Sequence, residues 1–284
     1  MNRRLPVAAL VFILTSATAF AQDPSAALTD AQMETFLEKA RIGSTKRIGI
    51  GVTESVRATL SDGTFTHDAH IQNVDLYRAE FRTAKGIERN FRDSWRYNIA
   101  AYRIDRMLDL RLVPVSVERA WRGRPAAFTW WVDDVVMDEG KRIAKNLVAP
   151  DYPCFSQQAQ TLRMFDRLIE NTDRNFGNTL YSKNWRMWAI DHTRAFRRSP
   201  QPEIVADLTL IDRRVLDRLA ALELGSLKTA VGRYVNSAVL RKLLSRRDGL
   251  LAHYKALPPH ALVERPDPSA GCAVRRTDAV PSSF

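Results

Sequence analysis

Apolar and polar residues alternate from Arg47 to Phe81, the period of strands whose two faces differ. Ile48-Gly49-Ile50-Gly51-Val52 and Val56-Arg57-Ala58-Thr59-Leu60 are the first two stretches, followed by a turn at Ser61-Asp62-Gly63. Thr64 to Val74 and Leu76 to Arg82 continue the pattern, and Ala84-Lys85-Gly86 closes it. The region predicts an antiparallel sheet. The period then lengthens: Tyr97, Ala101, Ile104 and Leu108 share one helical face, with Trp95, Ile99 and Tyr102 beside it. This predicts a mostly buried helix that starts at a cap on Asp93 or Ser94 and runs to about Leu110.

Val113 to Val117 and Ala127 to Val132 read as two further strands around the turn Gly123-Arg124-Pro125. Phe155, Ala159, Leu162, Phe165 and Ile169 mark a longer helix, ended by Glu170-Asn171-Thr172-Asp173. Thr179 to Tyr181 and Arg186 to Ile190 make a short hairpin turned by Ser182-Lys183-Asn184. Helices are expected near 212–224, 226–235 and 237–256, with breaks at Gly225 and Asn236, and a proline-rich tail from Pro258 is expected to be loosely ordered except where Cys272 can anchor it. The order implies an α+β chain in two lobes, a sheet lobe with one helix at 22–125 and a mostly helical lobe at 126–257, with the tail at 258–284.

The N-terminus adds a compartment. Met1-Asn2-Arg3-Arg4, an apolar run to Phe20 and Ala19-Phe20-Ala21 have the form of a signal peptide over 1–21, cleaved after Ala21. The run breaks at Thr15-Ser16-Ala17-Thr18, short of the roughly 20 apolar residues of a membrane span. A secreted or periplasmic protein with no stable membrane span is expected. In that setting Cys154 and Cys272 can form one disulfide or remain two thiols. The formal charge of +11 becomes +9 without Arg3 and Arg4 and is spread along the chain, so it favours anionic partners without naming one. No nucleic-acid recognition motif accompanies it.

The candidate chemistry lies in Asp173-Arg174-Asn175-Phe176-Gly177-Asn178, followed by the hairpin and Ile190-Asp191-His192. Phosphoryl transfer needs a carboxylate to orient a hydroxyl and oxygen ligands for a divalent ion. An Asp five residues before an Asn, on a loop between a buried helix and a hairpin, supplies both, and the Asp at the hairpin's return end can face the same point. These residues resemble the atypical kinases that include the Golgi secretory-pathway kinases, HipA-type kinases and phosphoinositide kinases, which share an Asp-Arg-x-x-x-Asn loop and an Ile-Asp strand end. Asn98 to Leu108 is similar to the helix that precedes Val113-Pro114 in that group. The resemblance covers about residues 48–200 and implies a two-lobed kinase-like fold using ATP, or another nucleotide, with Mg or Mn. It assigns Asp173 as the catalytic carboxylate and Asn178 and Asp191 as metal ligands, with Gly49, Gly51 and Gly63 as the candidates for a thin glycine loop.

Active relatives hold the phosphates with a Lys on the third strand, paired with a Glu on the next helix. Gln72 and Asn98 occupy those positions here, and Lys85 or a nearby Arg is the alternative phosphate contact. Two expectations follow, an exported kinase acting on a protein or small-molecule hydroxyl, and a pseudokinase that binds nucleotide or anions as a scaffold. Arg194, Arg197 and Arg198 follow the metal Asp and would favour an acidic or phosphorylated substrate, or else form a solvated basic loop. His67 and His70 are three apart on a strand, face opposite ways and cannot readily share one metal ion. His192 reads as a packing or orienting group, and Trp131 and Trp188 as buried core.

Overall fold

The computed structural model describes residues 28–49, 55–83, 86–197, 205–264, 267 and 269–272. The expected signal peptide, Gly51, Lys85 and Arg198 lie outside the described residues. The first element is a helix, α1 (Asp30–Lys39), begun by a capping box in which Thr29 and Gln32 exchange side-chain and backbone hydrogen bonds. β1 (Arg41–Arg47), β2 (Val56–Ser61) and β3 (Thr66–Gln72) then form an antiparallel meander, extended by β7 (Arg124–Trp130) and β6 (Ser116–Trp121) in the order β1-β2-β3-β7-β6. The first described strand ends at Arg47, before the expected Ile48–Val52, of which 50–52 lie outside the described residues, and β7 carries the sheet lobe past residue 125 to Trp130, because it is hydrogen-bonded to both β3 and β6.

Cross-strand partners share a face, so register divides this sheet cleanly. Val56, Ile71 and Phe128 are opposite one another on one face, with Ala58 paired to Ala69. All five are buried. α1 covers that face at the end with the β2–β3 turn, where the Phe36 ring meets Phe65 at 5.0 Å and Trp130 at 5.8 Å. The other face carries Arg57, His70, Gln72 and Thr129 and is polar.

Between β3 and the next helix the chain makes a two-stranded ribbon, β4 (Asp75–Thr83) and β5 (Gly86–Ser94). Ser94 is the last residue of that ribbon, and its hydroxyl donates to Asp75 at 3.0 Å, so it caps no helix. α2 (Arg96–Met107) begins at Trp95 without a side-chain cap. Its buried Asp105 accepts the backbone N–H groups of Leu112 at 2.9 Å and Val113 at 3.1 Å and pairs with Arg106, which aims the chain into β6.

The second lobe opens with β8 (Val135–Asp138) and α3 (Glu139–Ala144), then α4 (Tyr152–Ile169). β9 (Thr179–Ser182) pairs with β10 (Met187–Ala189) on one side and β8 on the other. β11 (Ile211–Asp212) leads into α5 (Arg213–Ala220), α6 (Leu224–Val231) and α7 (Ser237–Lys255), and pairs with β12 (Leu262–Val263) in parallel. Gly225 is inside α6 rather than at a break, whereas Asn236 caps α7 as its position suggested. Among the described residues no helix is long and apolar enough to cross a membrane.

The described residues of the segment from Pro258 are held at two places, and one is the expected anchor at Cys272. β12 belongs to it, and a disulfide joins Cys272 to Cys154 on α4. Beside that bond the Cys272 N–H donates to the Asn184 carbonyl at 2.7 Å, so the tail is tied to the β9–β10 turn. Gly271 permits this approach: it has φ +70, and a Cβ there would come within 2.5 Å of the Asn184 carbonyl oxygen.

Candidate functional site

α4 stops because Glu170 takes a left-handed conformation, φ 48, with its carboxylate 2.8 Å from the fully buried Arg246. The chain then enters the loop expected to carry chemistry, and Arg174 organises it. Its Nε and Nη2 donate to the two oxygens of Asp166 at 2.9 Å each. Its Nη1 donates to the carbonyls of Asn178 at 2.6 Å and Ile190 at 2.8 Å. One guanidinium thus joins the last turns of α4, the single 3-10 turn Phe176–Asn178 and the end of β10. Nη2 also lies 2.9 Å from His192 Nε2, and burial together with the Arg174 charge holds the imidazole well below its usual pKa. A neutral ring that accepts from Arg174 through Nε2 carries its proton on Nδ1.

This scaffold brings the three expected residues together. Asp173 is half-buried, and Asn178 is buried with its Nδ2 donating to the Asp173 carbonyl at 3.2 Å. The Ile190 N–H donates to the Asn178 carbonyl at 3.0 Å, which sets Asp191 next to that turn. Asp191 is exposed, at φ 53, and accepts the Thr193 hydroxyl at 3.0 Å.

A further carboxylate interacts electrostatically with Asp173 and Asp191 without a motif to announce it. Asp93, at the end of β5, has one carboxylate oxygen buried without a hydrogen-bond partner. Burial pushes its carboxyl pKa up, and the charges of Asp191 and Asp173 add to that, against a hydrogen bond from Thr193 and the Arg194 guanidinium. Burial lowers the His70 pKa, and the Asp191 carboxylate opposes that shift. His67, on the opposite face, lies 2.6 Å from Asp133 and stacks on Trp130 with ring centres 3.8 Å apart.

Gln72 and Asn98, the neutral amides at the Lys and Glu positions, are both buried. Gln72 donates to Ser55 at 3.2 Å and accepts the Val74 N–H at 3.1 Å, whereas the Asn98 Oδ1 accepts the His192 N–H at 2.8 Å. Asn98 therefore holds the segment after Asp191 rather than the third strand. Gly49 is exposed just past β1. Gly63 is in the β2–β3 turn at the opposite end of the sheet, so it belongs to no loop with Gly49.

The arginines read as substrate contacts sit in internal ion pairs. Arg194 Nη1 is 3.1 Å from the Asp173 carboxylate, and its guanidinium lies 4.7 Å from the centre of the Phe91 ring. Arg197 pairs with Glu88 and donates through Nε to the Arg194 carbonyl at 3.1 Å. The β4–β5 ribbon thereby braces the segment after Asp191. Trp131 and Trp188 are half-buried rather than core, because each lies under a guanidinium, Arg57 at 4.2 Å and Arg186 at 3.7 Å.

No protein-family model matches the sequence, and no curated protein matches it significantly. Solved structures do. The structure of hydra Fam20 with sugar superposes with a TM-score of 0.59 at 14% identity, over 82% of this chain and 92% of that one. The Golgi casein kinase with Mn/ADP bound gives 0.54 at 12% identity, over 83% of this chain and 78% of that one. The Helicobacter pylori proinflammatory kinase CtkA gives 0.51 at 10% identity, over 78% and 98%. At such identities the likeness shows the fold alone, and that fold is the two-lobed, atypical protein-kinase-like one that the Asp-Arg-x-x-x-Asn loop and Ile-Asp end implied.

Proposed function

We propose that this chain, with its atypical protein-kinase-like fold, is an exported kinase that transfers phosphate from a nucleotide to a protein or small-molecule hydroxyl. The observation that supports the reading is the pair of hydrogen bonds from Asn178 Nδ2 to the Asp173 carbonyl and from the Ile190 N–H to the Asn178 carbonyl, which ties together the backbone of the three candidate positions. With its Nδ2 committed to Asp173, Asn178 retains Oδ1 as an oxygen ligand. Oxygen donors suit Mg or Mn. Among the described residues no three His, Cys, Asp or Glu side chains already surround one point. A divalent ion with few protein ligands completes its shell with phosphate oxygens and water. Asn178 and Asp191 would hold it, and it would offset the charge of the phosphates.

Asp173 orients the acceptor hydroxyl and takes its proton as the oxygen attacks. Thr193, hydrogen-bonded to Asp191, steadies that carboxylate. His70, on the polar face of β3, offers a neutral donor where relatives use a lysine, and the amide of Gln72 is bonded to Ser55 and Val74. The Mn and ADP of the Golgi casein kinase structure support the choice of nucleotide and metal. Export is supported by the signal-like leader and by the Cys154–Cys272 disulfide, a bond typical of oxidising compartments.

A pseudokinase reading has its own support, because Arg194 already pairs with Asp173 and the phosphate-gripping positions are neutral. Label transfer from γ-labelled ATP with Mn or Mg, to the protein itself, added proteins or water, separates the two. Transfer that is lost in Asp173→Ala supports the kinase. Equal transfer by wild type and Asp173→Ala would sink it, and nucleotide binding with no transfer would leave the scaffold role.

A further inference from the structure

With Gln72 and Asn98 neutral and bonded within the fold, phosphate at the candidate site needs a cation from another element. Arg174 spends its guanidinium on Asp166 and on the carbonyls of Asn178 and Ile190. Arg197 pairs with Glu88 on the β4–β5 ribbon. Arg194 differs from both, because its partner is the carboxylate assigned to the acceptor hydroxyl: its Nη1 lies 3.1 Å from Asp173 Oδ1. Its Nε is buried and makes no hydrogen bond. A buried donor left unmade is costly, and a phosphate oxygen would satisfy it.

The backbone on either side of Arg194 is fixed. The Thr193 carbonyl accepts the Ser94 N–H at 2.8 Å, the Ala195 N–H donates to the His192 carbonyl at 3.0 Å, and the Phe196 N–H donates to the Ile169 carbonyl at 2.6 Å. The guanidinium lies against an aromatic wall, 4.7 Å from the Phe91 ring centre and 5.9 Å from that of Phe81, and those rings stack 4.1 Å apart. Only the side chain is left to move, and its pair with Asp173 is partly exposed and therefore weak.

We propose that Arg194 is the phosphate-holding residue of this site, in place of the strand lysine, and that its guanidinium exchanges the Asp173 carboxylate for the phosphate chain when nucleotide binds. The inference rests on the kinase reading above. Guanidinium forks match phosphate oxygens bidentately, and a polyphosphate carries more charge than one carboxylate, so the exchange favours the nucleotide. It also frees Asp173 for the acceptor hydroxyl, which makes nucleotide binding and release of that carboxylate one event.

The test is calorimetric titration of the β,γ-methylene analogue of ATP, with Mg at fixed ionic strength, into the full chain. Wild type is expected to bind, and Arg194→Gln to bind about tenfold or more weakly, the effect of a lost charged hydrogen bond. Arg194→Lys, which keeps the charge and loses the fork, should fall between the two. Arg194→Gln also leaves the Asp173 charge uncompensated, so the comparison is repeated in an Asp173→Asn background, where the same loss should persist. A loss that vanishes in that background would reduce Arg194 to a counter-ion of Asp173 and overturn the proposal. Binding by Arg194→Gln equal to or tighter than wild type would overturn it too and leave the kinase reading standing. No binding by wild type would instead remove the nucleotide reading and this inference with it.

Discussion

Arg174→Met removes the side chain that joins three elements at the candidate site, and its cost can be worked from the bonds it leaves behind. Asp166 keeps only the Asn171 amide, 3.0 Å from its Oδ1, and loses both guanidinium contacts. The carbonyls of Asn178 and Ile190 lose a charged donor. Arg174 and Asp166 are 15% and 10% exposed, so water can replace little of this. Removing one partner of such a buried pair costs about 3–5 kcal/mol. In a domain of 150–250 residues that lowers Tm by about 6–20 °C. The assay is calorimetric unfolding at neutral pH, with urea unfolding as a check on ΔG. Proton NMR adds a second readout, because removing the Arg174 charge moves the His192 pKa upward toward its usual value while burial still holds it low. A loss below about 1 kcal/mol, or an unmoved His192, would refute the claim that Arg174 holds the loop.

Arg194→Gln removes a half-exposed pair with Asp173, so its stability cost is expected to stay within about 1 kcal/mol by urea unfolding. Reduction of Cys154–Cys272, which closes a separation of 118 residues, should cost about 2–5 kcal/mol, read as a Tm drop in reductant that the Cys154→Ser variant reproduces. His192 and His70 both have folded-state pKa values below the unfolded 6.5. Their stabilising contribution is present above pH 6.5 and is lost as pH falls toward the folded values. Each should give a slope of up to about 1.4 kcal/mol per pH unit in that window, and His192→Asn should remove one such slope from unfolding curves at pH 5–7.

The second-lobe elements were readable where burial imposes a clear period. α4 shows its apolar face at Leu162, Phe165 and Ile169, and the loop and hairpin behind it are marked by turn residues. α1 was not, because Phe36 and Leu37 are its only buried side chains and its capping box was the one local signal. β1 is an edge strand with almost every side chain exposed, so alternation is absent and the apolar Ile48–Val52 drew the reading downstream. β5 mixes Glu88, Arg89 and Arg92 with a single buried Phe91 for the same reason.

At the site, the Asp173, Asn178 and Asp191 spacing is local and could be read directly. Asp93 could not, since it reaches the cluster only because the β4–β5 ribbon folds back, and its unpartnered oxygen exists only in three dimensions. Arg174 was visible as part of the motif, but its task depends on Asp166, eight residues earlier on α4. Gln72 and Asn98 occupy neighbouring elements whose bonds lead in different directions, a separation that strand and helix assignments alone do not reveal.

The central claim is that Asp173, Asn178 and Asp191 form a nucleotide and divalent-metal site. Thermal unfolding with ATP or ADP, with and without Mg or Mn, on wild type and Asp191→Ala tests it before any substrate is known. At a nucleotide concentration near 100 times Kd, wild type should gain about 2.7 kcal/mol, a metal-dependent rise in Tm. Asp191→Ala should keep its own Tm and lose that rise. A wild type that does not respond, or an Asp191→Ala protein that responds equally, would contradict the account.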